Sequence, residues 1–173
     1  MPPLSVGEMA VLAVGAASCV TDLRSRRIPN ALTIGAAAGA IAFGAASGGL
    51  MGVMSSAGGW VVGCLLFLPW FVLGGMGAGD VKLLAAMGAW VGPGDAVWIA
   101  LYAAVAGGIF AVIVTLAAGY FGEMVRNLWM LLMFWRVTGV QPHPDMTLRT
   151  GRGPRLPYAI PILAGAVAEL WLR

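Results

Sequence analysis

Gly74-Gly75-Met76-Gly77-Ala78-Gly79-Asp80-Val81-Lys82 places a carboxylate and an ammonium group inside an otherwise apolar stretch of chain. Before it, residues 51–73 run apolar through Trp60, Phe67 and Trp70. After it, residues 83–91 are again uncharged. A charged side chain near the centre of a bilayer costs about 3 kcal/mol on insertion scales, so Asp80 marks a functional site by default. One other aspartate has a similar setting: Asp22, at the end of the first apolar stretch.

Working outward, the chain of 173 residues is 60% hydrophobic and 10% charged. Soluble domains carry about 25% charged residues, so this composition indicates an integral membrane protein. The apolar runs are continuous and do not alternate, which indicates helices and excludes a barrel. The length suits one bundle, a single domain over 1–173. The N-terminus lacks the basic start and cleavage site of a signal peptide, so the first apolar stretch is read as a retained helix. Cys19 and Cys64 are the only cysteines and both lie in apolar runs; no Cys-x-x-Cys pair exists, and His143 is the only histidine. Neither a metal site nor a cofactor is expected.

The pattern predicts six membrane helices, at about 5–21, 31–47, 51–73, 80–91, 96–121 and 157–172. Asn30 is the expected N-cap of the second, and Gly92-Pro93-Gly94-Asp95 an expected turn. The fourth helix is short: twelve residues reach about 18 Å against a hydrocarbon core of about 30 Å. It begins below the surface, thins the bilayer or lines a wet cavity. The segment 122–156 is the one long polar stretch. Its first part, to Arg136, either continues the fifth helix or lies in the interface as an amphipathic helix, and its second part reads as a basic loop. Glu8 and Glu169, near the outer helix ends, are expected to reach water.

Orientation follows from the basic residues. With both termini outside, Arg24, Arg26, Arg27, Lys82, Arg126, Arg136, Arg149, Arg152 and Arg155 all face the cytoplasm, nine of the ten basic residues. Since Lys and Arg decide orientation, the N-out, C-out arrangement is expected. It sets Asp22 and Asp80 on the same, cytoplasmic side.

Two aspartates so placed suit peptide hydrolysis. Like charges a few ångströms apart cannot both ionise, so one carboxyl keeps a proton while the other takes one from water. The glycines before Asp80 permit unusual dihedrals and close approach of an extended substrate, with Gly77 and Gly79 as a hinge; close helix packing is the alternative use of small residues. The arginines after Asp22 read as topology anchors, and Lys82, about 200° around a helix from Asp80, as a snorkelling side chain. Arg27, Asn30 and Lys82 are auxiliary candidates. A rival reading is an ion- or proton-coupled transporter with Asp22 and Asp80 as a relay, although the halves show no inverted repeat.

Gly77-Ala78-Gly79-Asp80-Val81-Lys82-Leu83-Leu84 resembles the GxGD signature of the type IV prepilin peptidases, an aspartic intramembrane protease family. Asp22 with Arg26-Arg27-Ile28-Pro29-Asn30 resembles that family's first aspartate block, and Leu156-Pro157-Tyr158-Ala159-Ile160-Pro161 the opening of its last helix. The core of the resemblance covers about 10–115. It implies an enzyme of the bacterial inner membrane that removes the short basic leader of prepilins and pseudopilins at the cytoplasmic face, with Asp22 and Asp80 as the catalytic pair and no cofactor or metal. Larger members also methylate the new N-terminus and carry an extra region with four cysteines; this chain resembles the short, peptidase-only branch associated with Flp pili. Membrane lipids and pilus-assembly proteins are the further partners expected, with 122–156 holding either substrate or a pilus-assembly partner. No nucleic-acid partner is expected.

Overall fold

The computed structural model describes residues 4–143, 146 and 156–172. Among them the chain is all-helical, with six helices and no strand: α1 (Val6–Ser25), α2 (Asn30–Val72), α3 (Ala78–Val91), α4 (Pro93–Ala117), α5 (Phe121–Thr138) and α6 (Ala159–Leu172). The expected basic loop with Arg149, Arg152 and Arg155 lies outside the described residues.

α1 starts on a capping box. Ser5 Oγ accepts from the Glu8 N–H, and Glu8 Oε2 accepts from the Ser5 N–H at 2.6 Å. The helix runs past the expected end at 21, because no breaker stands before Pro29. It closes on Arg26, whose left-handed backbone (φ 54°) lets its N–H reach the Asp22 carbonyl at 2.8 Å. Asp22 therefore lies inside the last turn of a helix.

α2 has 43 residues, about 65 Å if straight and twice a hydrocarbon core. It is not straight. Gly49 adopts φ 57°, ψ −138°, a conformation that glycine takes at little cost, and the chain folds back there. Gly44 packs directly on Gly52, and Ser56 Oγ donates to the Ala40 carbonyl at 3.2 Å. Both pairs are centred on Gly48, so α2 is a hairpin whose arms match the two expected helices 31–47 and 51–73.

α3 sits in the middle. It packs against α1, α2, α4 and α6, and every residue from Leu83 to Ala89 is buried. A helix apolar all round belongs in a core. Close approach comes from small residues: Gly59 of α2 meets the Gly88 carbonyl, and a Cβ on Gly63 would lie 2.7 Å from the Leu84 carbonyl. Val11, Phe67, Leu83, Leu84, Met87 and Ile99 form the heart of this cluster.

Between α3 and α4 the turn is tighter than expected. Gly92 alone (φ 90°) breaks the helix, Pro93 occupies the first helical position, and Asp95 lies in the first turn of α4. α4 ends at Ala117, and Gly119 (φ 66°) separates it from α5. Residues 121–138 are thus a helix of their own, without a buried residue, packed on α4 alone among the elements. Glu169, expected at the water, is buried instead in α6.

α1, α2 and α4 are long and apolar enough to cross a membrane. Their outer faces expose Ile34, Leu65, Leu101, Val105 and Ile113, more apolar surface than water tolerates on a folded chain. The chain is a membrane protein.

Candidate active site

Asp80 is the third residue of α3. Its Oδ2 accepts a hydrogen bond from the Gly77 N–H at 3.2 Å. The first turn of a helix offers free N–H groups and the positive end of the helix dipole, so a carboxylate fits there. The backbone leading in is built for closeness. A Cβ on Gly77 would lie 3.0 Å from Asp80 Oδ2, and one on Gly79 3.2 Å from Ile28 Cβ. Neither glycine has positive φ, and Gly77 stands at φ −80°. What these two supply is room. The left-handed turn of the loop belongs to Gly74 (φ 77°).

Asp22 comes from the last turn of α1. It is 8% exposed and Asp80 9%. Among the described acidic residues only Glu169 shares such burial, and it lies far along α6 from the loop. α1 packs on α3, and Asp22 lies within electrostatic reach of Asp80. The structure thus brings together two blocks distant in sequence, at the buried junction of α1, α3 and the Gly-rich loop. Ser18, one turn before Asp22 on α1, is fully buried, and its Oγ has no hydrogen-bond partner.

Asn30 does not cap α2. Pro29 holds the cap position with extended backbone (φ −62°, ψ 136°), and Asn30 is the first helical residue. Its Oδ1 accepts from Lys82 Nζ at 3.0 Å. Lys82 therefore reaches across to the start of α2 and leaves Asp80 on the opposite side of α3. Arg27 is exposed on the connector between α1 and α2.

Two residues near the carboxylates had no role in the sequence reading. Tyr158, just before α6, lies within reach of the charge of Asp80. Ile28 packs on Gly79 and on the central cluster. A tyrosine at the start of the last helix was the available signal for the first. For Ile28, an apolar residue among arginines was the signal. An apolar cavity of about 230 Å³ flanks the loop, lined by Phe67, Trp70, Met76, Ala103, Gly107 and Tyr158 among others. Among the described residues no cluster of three or more His, Cys, Asp or Glu is placed to hold a metal ion.

The arrangement offers two buried carboxylates, a hydrogen-bond donor fixing one of them, and an apolar cavity beside them. Such a pair can share a proton and activate a water. A model of the type IV leader peptidase family matches residues 9–112, which include Asp22, the Gly-rich loop and Asp80. No curated protein and no solved structure matches the chain.

Proposed function

The chain belongs to the type IV leader peptidase family, and from that premise we propose that it is an aspartic endopeptidase whose catalytic pair is Asp22 and Asp80. The observation that carries the reading is their joint burial where α1 packs on α3. One carboxyl of the pair is protonated and the other ionised. The ionised one takes a proton from a water, whose oxygen attacks the scissile carbonyl carbon. The protonated one donates to the carbonyl oxygen. Collapse of the tetrahedral intermediate breaks the C–N bond, and the leaving amine takes a proton from the pair. The roles of base and acid are assigned to the pair and not to either residue.

The substrate is a prepilin-type protein, in our reading one of the Flp class, cut at the cytoplasmic boundary. Six spans with both termini outside support that site. The hairpin of α2 supplies two spans; α1, α3, α4 and α6 supply the others, and the basic residues then gather on the side of the two aspartates. A basic leader stays in the cytoplasm by the same rule, and its apolar segment lies in the bilayer, against the apolar flank lined by Phe67, Trp70 and Met76. We read the activity as peptidase only, because Cys19 and Cys64 lie in helices and form no part of a cysteine tetrad.

The deciding experiment is processing of a co-expressed Flp-type prepilin by Asp22→Asn and Asp80→Asn variants. Each is expected to abolish cleavage at normal expression. Normal cleavage by Asp80→Asn would refute the proposal.

A further inference from the structure

Lys82 and Asn30 stand 52 positions apart in the chain and meet at 3.0 Å. Lys82 follows Asp80 by two residues, about 200° around α3. Asp80 faces the buried junction while Lys82 faces out. Asn30 follows Asp22 by eight residues, at the far end of the α1–α2 connector. That connector turns at Arg26 (φ 54°) and runs extended into Pro29. Between its ends, Ile28 sits where a Cβ on Gly79 would approach within 3.2 Å. Two positions of the first turn of α3, on either side of Asp80, are therefore engaged by the segment that follows Asp22: Gly79 by Ile28 and Lys82 by Asn30.

We propose that the Lys82–Asn30 hydrogen bond and the Ile28–Gly79 contact form a latch that fixes the α1–α2 connector on the first turn of α3 and thereby sets the separation of Asp22 and Asp80. This rests on the catalytic reading of the two aspartates. Asn30 and Lys82 are positioning residues, since the ammonium lies on the side of α3 away from the carboxylate. The latch accounts for the Asn30 side chain, which reaches Lys82 from the first helical position while Pro29 holds the cap of α2. It also explains why the bond is of use although exposed. An exposed hydrogen bond adds little to global stability. It does remove freedom from a connector that ends in a buried carboxylate, and misplacement of a reacting group by about 1 Å costs on the order of a hundredfold in rate.

The test uses the full chain in detergent or lipid nanodiscs, with Asn30→Ala, Lys82→Met and the double variant, assayed on an Flp-type prepilin. Each single variant is expected to lose roughly tenfold in kcat at unchanged KM and unchanged thermal unfolding midpoint. The double variant is expected to lose no more than either single one, because contacting partners are not additive. Lys82→Arg keeps a donor and recovers most of the rate. Wild-type kcat in Asn30→Ala, or losses that multiply in the double variant, would overturn the latch. A second readout needs no activity. Spin labels at Leu23→Cys and Ala78→Cys, with Cys19 and Cys64 replaced by Ala, report the spacing of the two blocks. Asn30→Ala is expected to broaden that distance distribution, and an unchanged distribution refutes the latch. If the wild type cuts no prepilin, the enzymatic reading fails while the distance measurement still decides the latch.

Discussion

Replacing Gly77 by alanine separates two uses of glycine that the loop combines. The backbone at Gly77 is extended (φ −80°, ψ 148°), a conformation open to any residue. Alanine therefore brings no strain, and it stabilises by about 0.4–1 kcal/mol through loss of unfolded-chain freedom. Its methyl, however, arrives 3.0 Å from Asp80 Oδ2, where ordinary contact begins at 3.4 Å. The carboxyl rotates away, and the 3.2 Å bond from the Gly77 N–H is lost. A hydrogen bond to a charged group is worth about 1.5–3 kcal/mol, or roughly ten- to hundredfold in rate if it is needed at the transition state. The expected result for Gly77→Ala is a fall of that size in kcat on a prepilin substrate, with an unfolding midpoint at or slightly above wild type.

Gly74→Ala is the opposite case. Its φ of 77° disfavours a side chain by about 1–2 kcal/mol, so the unfolding midpoint is expected to fall. Gly35→Ala, with open space around its Cβ on α2, is the control and is expected to leave both readouts near wild type. Wild-type turnover in Gly77→Ala, or a loss of activity only in step with lost stability, would refute the assignment of Gly77 to the carboxylate.

Gly59→Val forces α2 away from the Gly88 carbonyl and is expected to abolish accumulation of folded protein in the membrane, read by yield and gel filtration in detergent. Ser56→Ala removes the buried bond to the Ala40 carbonyl, worth about 1 kcal/mol, and is expected to lower the unfolding midpoint by about 2–4 °C. Single cysteines at Ser25 and Ser47, in a chain whose own two cysteines are replaced, are expected to react with an impermeant thiol reagent from the cytoplasmic and the outer side respectively; reaction from one common side would refute the hairpin topology. Cleavage is expected to persist in excess chelator.

The helices were legible because membrane spans are written in composition. Each long apolar run became a helix, and the hairpin at Gly49 fell in the gap left between two of them. Ends were less legible, because they depend on geometry that no single residue announces. Asp22 reads as lying just past the first helix and Asp95 as part of a turn, and both lie in helical turns: the first because α1 closes only at Arg26, the second because Pro93 starts α4 at once. Asn30 reads as a cap by type, but Pro29 takes the cap position and Asn30 is the first helical residue, its side chain bonded to Lys82. The burial of Glu169 has a long-range cause, for which face of α6 meets α4 and α1 is decided by packing. Asp80 itself was legible, since nothing local explains a carboxylate in that run.

The short α3 and the buried Asp80 have one explanation. Fourteen residues rise about 21 Å, some 9 Å less than a hydrocarbon core of about 30 Å. If the Gly92 turn stands near one surface, the first turn of α3 stops short of the other by that difference. A helix end at that depth cannot leave its N–H groups bare. Asp80 accepts one of them through Gly77, and the connector folds Ile28 down onto Gly79 to close the space above. A full-length fourth helix would carry Asp80 to the surface and into bulk water, where its coupling to Asp22 would be screened. On this argument the shortness of α3 is what keeps Asp80 buried where α1 packs on α3.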